Sequence, residues 1–266
     1  MDNCLESSEL TVDRWEKGRI QRLKDTVAEE VPVALVYNGI SHAVMLATPA
    51  DLEDFAWGFS LTEGIVTSVK EIYACDVVEA ENGLRIELDI ASERFQYLKE
   101  RRRNLAGRTG CGLCGTDSLS QAVKMPPRVA GNPSFSMDML HKAFEKMDKI
   151  QRLKKRTGAT HAAAWLDGNG NVEIIREDVG RHNALDKLVG TLYRQATDRS
   201  CGAVLVTSRA SYEMVQKCGA AGIGMLAAIS APTALAVRMA DAINLTLVGF
   251  VRQGSHTVYT HPYRLV

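Results

Sequence analysis

The stretch AVLVTSRASYEMVQKCGAAGIGMLAAISAPTALAVRMADAINLTLVGFVR, residues 203–252, decides the fold class. Three of its apolar runs have the length of buried strands, and the two segments between them carry apolar residues at helical spacing. The strands are predicted over residues 203–207, 225–230 and 245–251, and the helices over residues 212–218 and 236–243. Regular alternation of strands and helices is typical of a sheet covered by helices. We therefore predict a layered α/β domain.

Outward from this stretch, the sequence predicts further helices and hairpins. Apolar runs at residues 162–166 and 172–176 predict a hairpin, and helical spacing follows at residues 185–192. In the N-terminal half, the dipeptides Asn38-Gly39 and Asn82-Gly83 favour tight hairpin turns. Thr48 and Pro49 predict the start of a helix that Gly64 ends, and further helices are predicted over residues 92–104 and 140–147. The N-terminal half is therefore predicted to be α+β.

The chain divides into three predicted segments. Residues 1–26 are mostly charged and lack periodicity, so we predict a poorly ordered lead-in. A Gly- and Pro-rich stretch over residues 126–133 predicts a domain boundary. The N-terminal domain then covers residues 27–133, and the C-terminal α/β domain covers residues 134–266.

Composition excludes several classes of protein. The 266 residues include 45% hydrophobic residues, which argues against disorder as the main state. Lys+Arg 32 balance Asp+Glu 32, and bulk binding to nucleic acid or an anionic membrane needs a basic excess. No secretory leader opens the chain, so the six cysteines are expected to be free thiols, metal ligands or catalytic groups in the cytoplasm. Residues 218–237 are uncharged, but their Gly and Pro content predicts a strand and a helix rather than a membrane span.

Two cysteines stand in a glycine-rich segment, AGRTGCGLCGTDS, residues 106–118. Cys111 and Cys114 are its reactive groups, and Arg108 favours their thiolate forms. A zinc or iron site would need two CxxC units or a His pair, so we expect no metal site within one chain. A thioredoxin-like redox pair would follow an apolar strand, whereas residues 99–110 are polar and basic. Sulfur relay through a cysteine persulfide remains as the preferred chemistry.

A second group of candidates follows the predicted strands of the C-terminal domain. The segments EDVGRHN (177–183), TSRAS (207–211), SAPT (230–233) and FVRQGS (250–255) are rich in hydroxyl groups, Arg or Gly. Ligands bind at the carboxyl ends of strands in open α/β sheets, and the guanidinium fork suits phosphate. A nucleotide-like ligand and ordinary polar turns are equally compatible with these segments.

Four long motifs together resemble the FdhD/NarQ family of formate dehydrogenase accessory proteins. They are TGCGLCG (109–115), EDVGRHNALDK (177–187), TSRASYEMVQK (207–217) and ISAPTALAVRMA (229–240). The likeness runs from about residue 27 to residue 262.

The resemblance implies a sulfurtransferase. Such a protein takes sulfur from the persulfide of a cysteine desulfurase and delivers it to the bis-molybdopterin guanine dinucleotide molybdenum cofactor of formate dehydrogenase. Cys111 would carry the persulfide and Cys114 would assist. The cofactor, or a guanine nucleotide such as GDP, would bind Phe250, Val251, Arg252, Gln253, Gly254 and Ser255, with Arg181, His182, Asn183, Ser208, Arg209 and Ser211 as further candidates.

The resemblance also bears on the fold and the assembly. It implies a homodimer, and a three-layer α/β/α C-terminal domain similar to cytidine deaminases. The zinc signature of those enzymes is missing, because Ser208-Arg209-Ala210-Ser211 stands where Pro-Cys-x-x-Cys would open a helix. Two rival functions remain: a non-catalytic chaperone for the molybdenum cofactor, and a thiol redox or metal protein whose site is shared between subunits.

Overall fold

The computed structural model describes the backbone of residues 6–106 and 124–266, and the side chains of residues 6–100 and 124–266. Within these residues the protein is mixed α/β, with twelve strands in three sheets and seven α-helices. No helix in these ranges is both long and apolar enough to cross a membrane.

Strands and helices follow the predicted order closely. The strands are β1 (Ser7–Glu16), β2 (Arg19–Ala28), β3 (Val31–Tyr37), β4 (Ile40–Ala47), β5 (Ile72–Ala80), β6 (Gly83–Ile90), β7 (His161–Leu166), β8 (Val172–Asp178), β9 (Ala203–Val206), β10 (Met225–Ala228), β11 (Thr246–Arg252) and β12 (Ser255–Thr260). The helices are α1 (Leu52–Thr62), α2 (Ser92–Ala106), α3 (Met137–Ile150), α4 (Arg152–Thr157), α5 (Arg181–Arg194), α6 (Tyr212–Ala220) and α7 (Ala234–Ala242). The predicted alternation over residues 203–252 is confirmed.

The largest sheet has six strands in the order β12-β11-β10-β9-β7-β8, and its three central strands β9, β10 and β11 are parallel. Successive side chains of β7, β9 and β10 enter opposite cores. Ala163, Val204 and Leu226 pack against α5, α6 and α7, whereas Ala164, Leu205 and Ala227 pack against α3. This alternation follows from the two-residue period of a strand. The C-terminal half is therefore a three-layer α/β/α arrangement, as predicted; its likeness to cytidine deaminases stays a prediction.

A four-stranded sheet in the order β4-β3-β6-β5 forms the centre of the N-terminal half. The predicted hairpin turn lies between β3 and β4, where Asn38 and Gly39 have φ of 45° and 80°. Gly64 follows α1 with φ of 68°, which agrees with its predicted role as a helix stop. Phe55 and Phe59 of α1 pack against this sheet.

Thr48 does not begin α1, contrary to the prediction. The N-cap of α1 is Asp51, and Thr48 is fully buried against the C-terminal half. Its backbone nitrogen donates to Asp178 Oδ2 at 3.0 Å, and its hydroxyl accepts from the nitrogen of Val179 at 3.2 Å. Residues 178 and 179 are far from Thr48 in the sequence, so no local pattern reveals these contacts. The dipeptide Thr48-Pro49 by itself is typical of a helix start, which explains the wrong prediction.

The predicted lead-in over residues 1–26 is a second correction. Most of it forms the hairpin of β1 and β2, which turns at Lys17 and Gly18 with φ of 49° and 81°. The charged residues of this segment form ion pairs across the hairpin, such as Lys24 Nζ to Glu9 Oε2 at 2.8 Å. They stand where a half-buried strand would show alternating apolar residues, so the sequence lacked the usual strand pattern. Strand β12 was likewise not predicted as a strand.

The predicted boundary after residue 133 falls in a segment that is bonded to the C-terminal half. The nitrogen of Val129 donates to the oxygen of Ile243 at 2.8 Å, and Arg264 Nη2 donates to the oxygen of Gly131 at 2.9 Å. Phe135 forms a bridge to Leu265. Whether the two halves fold as separate domains stays a prediction.

Helices α1 and α5 join the two halves through glycines. A Cβ atom at Gly58 would overlap the backbone oxygen of Asp186, and one at Gly190 would overlap the backbone oxygen of Asp54. The two backbones therefore approach more closely than any larger residue allows.

Buried charges surround this contact. Asp54 bonds Arg176 Nη2 at 2.7 Å and Arg194 Nη1 at 2.6 Å. Burial by itself would raise the pKa of Asp54, but the hydrogen bonds from Arg176, Arg194 and Thr191 outweigh it and hold the pKa below its ordinary value. Lys217 Nζ lies 2.9 Å from Asp186 Oδ2 on the other side of α5. The junction is thus held by paired charges as well as by close packing.

We predict that Gly58→Ala lowers the free energy of unfolding by about 3 kcal/mol or more, because the methyl group forces α1 away from α5. The check is chemical denaturation. In a helix without this contact, a Gly→Ala change raises the free energy of unfolding by about 1 kcal/mol. The expected change at Gly58 therefore has the opposite sign to the one that helix propensity predicts. Ala242→Gly, at an exposed position of α7, measures the propensity effect alone. A neutral or stabilising Gly58→Ala would contradict the close approach.

Candidate functional site

The three parallel strands β9, β10 and β11 end at one edge of the six-stranded sheet, which we call the carboxyl edge. The loops after β9 and β10, residues 207–211 and 229–233, follow this edge directly. The turn between β11 and β12 lies there as well. Helix α5 begins at the same edge, because β8 runs antiparallel to β7, and β7 runs antiparallel to β9.

Backbone hydrogen bonds tie the three loops to one another. The nitrogen of Ala210 donates to the oxygen of Ala231 at 3.2 Å, and the nitrogen of Thr233 donates to the oxygen of Ala210 at 3.1 Å. The nitrogen of Phe250 donates to the oxygen of Ser230 at 3.3 Å. Because each loop is fixed by its neighbour, the groups that they present are held in a defined arrangement.

Two helices begin at the carboxyl edge without a side-chain cap. Gly180 precedes α5 and has no side chain to cap it, and the hydroxyl of Ser211, which precedes α6, accepts no bond from that helix. By contrast, Thr233 caps α7 by accepting from the nitrogen of Ala236. Uncapped N-termini leave backbone N–H groups and the positive end of the helix dipole available to an anion.

Besides His182 Nε2, which lies 2.6 Å from Glu213 Oε2, two buried polar atoms at this edge lack a hydrogen-bond partner among the described residues: Arg181 Nε and Ser211 Oγ. A buried donor without a partner is costly, and such atoms call for a ligand, an ion or ordered water. One is a guanidinium donor and the other a hydroxyl, which are typical phosphate-binding groups. The arrangement is therefore chemically suited to bind an anion.

A carboxylate links the first turns of α5 and α6. Glu213 Oε2 lies 2.6 Å from His182 Nε2 and 3.9 Å from Arg181 Nη2. The pKa of Glu213 lies below its ordinary value because the hydrogen bond from His182 outweighs burial, and Arg181 adds to the effect. Burial lowers the pKa of His161, and the positive charges of Arg181, Lys154 and His182 lower it further. Sequence reasoning missed Glu213 and His161, since an acid in a first turn is ordinary and an isolated His has no pattern.

Two arginines on the loops are exposed. Arg209 and Arg252 have no ion pair among the described residues. Ser208 is buried, and its hydroxyl donates to the oxygen of Arg209 at 3.0 Å. Phe250 has φ of 54° and is 43% exposed, so an aromatic ring stands in solvent beside the loop after β10. Residues 250–255 thus include the end of β11 and the turn into β12, rather than a loop alone.

Asn183 stands apart from the other candidates. Its Nδ2 donates to the oxygen of Leu46 at 2.8 Å and to Asp178 Oδ1 at 3.0 Å, so both of its amide hydrogens are used inside the protein. Lys187, four residues further along α5, pairs with Asp178 at 2.7 Å, and both side chains are fully buried. The contacts of Asn183 therefore support a structural role and not the predicted contact with a nucleotide.

Cys111 and Cys114 lie outside the described residues. The description resumes at Lys124, whose Nζ is 3.5 Å from Glu63 Oε2. Glu63 in turn bonds Lys217 on α6 at 3.0 Å. The charge of Glu63 also contributes to raising the pKa of Tyr212, after burial and Glu213. Lys124 thus lies near α6, the helix that begins at the carboxyl edge.

Comparison with known proteins gives a consistent result. Residues 28–266 match the model of the FdhD/NarQ family. The chain is 61% identical over 258 residues to the sulfur carrier protein FdhD of Cupriavidus necator, covering 97% of this chain and 90% of that protein. It is 56% identical over 241 residues to the sulfur carrier protein FdhD of Bordetella petrii, covering 91% and 87%.

A solved structure shares the fold. It is described as a formate dehydrogenase accessory protein from Desulfotalea psychrophila, and it aligns with a TM-score of 0.79 at 22% identity, covering 98% of this chain and 100% of that one.

We predict that Glu213→Gln lowers the free energy of unfolding at pH 7 by up to about 1 kcal/mol, since the pair with His182 is partly exposed. Because the folded-state pKa is depressed, the pair contributes stability above the unfolded pKa of about 4.3 and loses it as pH falls through the folded value. The difference between the two proteins should therefore vanish in acid. Urea denaturation as a function of pH checks this, with Glu173→Gln, at an exposed position of β8, as control. A difference that persists below both pKa values would contradict the assignment.

Proposed function

The chain belongs to the FdhD/NarQ family, and we propose that it is a sulfur carrier that serves the maturation of formate dehydrogenase. The observation that carries this proposal is the match, over 97% of the chain, to a protein named as a sulfur carrier. The chain also contains the thiol pair that such a role needs, Cys111 and Cys114.

In the proposed reaction, Cys111 accepts sulfur from a cysteine desulfurase. Its thiolate attacks the terminal sulfur of the desulfurase persulfide, the S–S bond breaks, and the desulfurase cysteine leaves as a thiolate. Cys111 is then a persulfide, and no external oxidant or reductant is consumed. The protein acts as a sulfurtransferase in this step.

Release of the sulfur has two routes that differ in their product. In one, the Cys114 thiolate attacks Cys111 Sγ, a disulfide forms, and the terminal sulfur leaves as hydrosulfide with the two electrons that the cysteines supply; a cellular dithiol then reduces the disulfide. In the other, the outer sulfur would pass to the molybdenum of the bound substrate as the S–S bond breaks and Cys111 leaves as a thiolate. The metal would supply the two electrons that reduce this sulfur to sulfide, going from Mo(IV) to Mo(VI), and both cysteines would stay reduced. A Cys111–Cys114 disulfide after turnover marks the first route.

The proposed sulfur acceptor is the bis-molybdopterin guanine dinucleotide molybdenum cofactor, bound as a substrate. Its guanosine phosphates would occupy the carboxyl edge, where Arg181, Arg209 and Ser211 offer donors and α5 and α6 begin uncapped. Phe250 offers an exposed ring for stacking on a base. His182, Ser208 and the remaining residues of the turn, Val251, Arg252, Gln253, Gly254 and Ser255, complete the proposed site. We leave Asn183 out because its amide is committed.

The proposed partners are a cysteine desulfurase as donor and formate dehydrogenase as recipient. A homodimer in the cytoplasm is the proposed assembly and place of action, since free thiols persist in a reducing compartment.

We predict that Cys111→Ala abolishes sulfur loading. After incubation with a cysteine desulfurase and L-cysteine, non-reducing mass spectrometry of the native protein should show one added sulfur atom on the peptide with Cys111 and Cys114, removable by reductant. The variant should show none and should not support formate dehydrogenase maturation. Cys201→Ala removes another exposed thiol and is the control.

The maturation assay also distinguishes sulfur transfer from the chaperone function. If the double variant Cys111→Ala, Cys114→Ala supports full maturation in cells lacking the native protein, the relay is wrong and a non-catalytic cofactor chaperone replaces it. Stoichiometric zinc or iron in the purified protein would favour a metal protein instead.

We predict that Arg209→Ala weakens GDP binding about tenfold or more without loss of stability, because a charge-assisted hydrogen bond to phosphate is worth about 1.5–3 kcal/mol. Isothermal titration calorimetry measures the affinity. Arg128→Ala is the matched control, since Arg128 is also exposed and adjoins Val129, which bonds Ile243 at the opposite end of the sheet. Equal GDP affinity in both variants would contradict a phosphate site at the carboxyl edge.

A further inference from the structure

A short basic helix lies next to the carboxyl edge. Helix α4 has the sequence RLKKRT, with four cations in six residues. Arg152, Lys155 and Arg156 are spaced by three and four positions, so they share one side of the helix, and all three are exposed. Leu153 is buried on the opposite side. Lys155 Nζ donates to the oxygen of Lys149 at 2.8 Å, which brings the end of α3 to the same surface. We call Lys149, Arg152, Lys155 and Arg156 the α4 face.

No carboxylate neutralises this face within the described residues. None of its four side chains has an ion pair there, and Arg156 instead donates to the hydroxyl of Ser7 at 2.6 Å. Glu177 is an acid in contact with α4. It accepts from the backbone nitrogens of Leu153 and Lys154 at 2.9 and 2.8 Å, so it serves the helix terminus and not the side-chain charges.

This arrangement opposes the intrinsic electrostatics of a helix. Arg152 is the first residue of α4, where the positive end of the helix dipole disfavours a cation. Arg152 and Arg156 stand four positions apart, and like charges at this spacing destabilise a helix. Glu177 offsets the dipole at the start of α4, and the dipole favours Lys155 and Arg156 in the last turn. The repulsion among the side chains of the α4 face has no paired carboxylate within the described residues, so an acidic group from outside the monomer would relieve it.

The α4 face borders the proposed site. Thr160, three residues after α4, donates to Glu177 at 3.2 Å, and the next residue, His161, pairs with Asp178 at the end of β8. Burial lowers the pKa of His161, and the positive charges of Arg181 and Lys154 lower it further. Glu177 bonds the start of α4 and α5 begins at Arg181, so both helices begin beside the end of β8.

We propose that the α4 face docks an acidic surface of a protein partner. The face is an exposed helix side, whereas a small anion needs a concave site with convergent donors. Residues 145–157 contain no aromatic side chain, and the chain as a whole has no net charge, which disfavours single-stranded nucleic acid as the occupant. A partner docked there would adjoin the carboxyl edge. The choice of test proteins rests on the proposed function.

The test replaces Arg152 and Lys155 with glutamine in the full chain. The matched control is Arg85→Gln with Lys142→Gln, which removes the same charge from two exposed cations that already pair with Glu87 and Asp138. Surface plasmon resonance measures binding of each protein to a purified cysteine desulfurase, to the cofactor-free catalytic subunit of formate dehydrogenase, and to a mixed-sequence RNA oligonucleotide, at low and high salt. GDP affinity and thermal unfolding are measured in parallel.

At low salt, the affinity of the α4 variant for one of the two proteins should fall about tenfold, mainly through slower association, and the difference should shrink at high salt. GDP affinity should be unchanged, and the unfolding temperature should be equal or higher, because a repulsion has been removed. Affinities equal to those of the control variant, binding of neither protein by the native chain, or loss of RNA binding alone would overturn the proposal. If the native protein binds one of the two partners through the α4 face but takes up no sulfur from the desulfurase, the docking proposal stands and the proposed function is contradicted.

Discussion

The contact of α1 with α5 at Gly58 and Gly190 is the constraint on which the rest of the structure depends. Helix α1 packs on the four-stranded sheet and α5 packs on the six-stranded sheet, so their contact joins the two halves of the protein. Backbones this close leave no room for water, so every polar group beside them must find a partner inside the protein. Asp54 with its two arginines, Lys187 with Asp178, and Lys217 with Asp186 meet that requirement. Removing one member of such a pair would leave a buried charge uncompensated, at a cost of about 3–5 kcal/mol.

This constraint divides the motif of residues 177–187 between two roles. The first turn of α5 presents Arg181 and His182 at the carboxyl edge, whereas Asn183 and Lys187 point into the junction with the N-terminal half. The helical period of 3.6 residues sends neighbours in sequence to different surroundings. The start of α5, and with it the proposed anion site, is therefore positioned by contacts that belong to the N-terminal half. A change in the junction would move Arg181 without touching the site itself.

Local patterns in the sequence predicted most of the secondary structure, because hairpin turns and helices leave signals within a few residues. The turn at Asn38-Gly39, the hairpin around Asn82-Gly83 and the alternation over residues 203–252 are confirmed, although the second hairpin turns at Glu81 and Asn82, one residue earlier than the dipeptide. The wrong predictions have a common physical cause. Thr48 resembled a helix cap, but its backbone and hydroxyl bond residues 130 and 131 positions away. Residues 7–28 lacked an apolar period because cross-strand ion pairs take the place of a buried face.

The family, the mixed α/β fold and the pair of thiols can be identified from the amino-acid sequence, because local patterns and motifs specify each of them. Which polar residues meet depends instead on how distant parts of the chain pack together. The tertiary structure brought Glu213 to His182, committed Asn183 to Asp178 and Leu46, and left Arg181 Nε and Ser211 Oγ without partners. The reason is that hydrogen bonds and ion pairs act over a few ångströms in space, and the distance between residues along the chain does not reveal them.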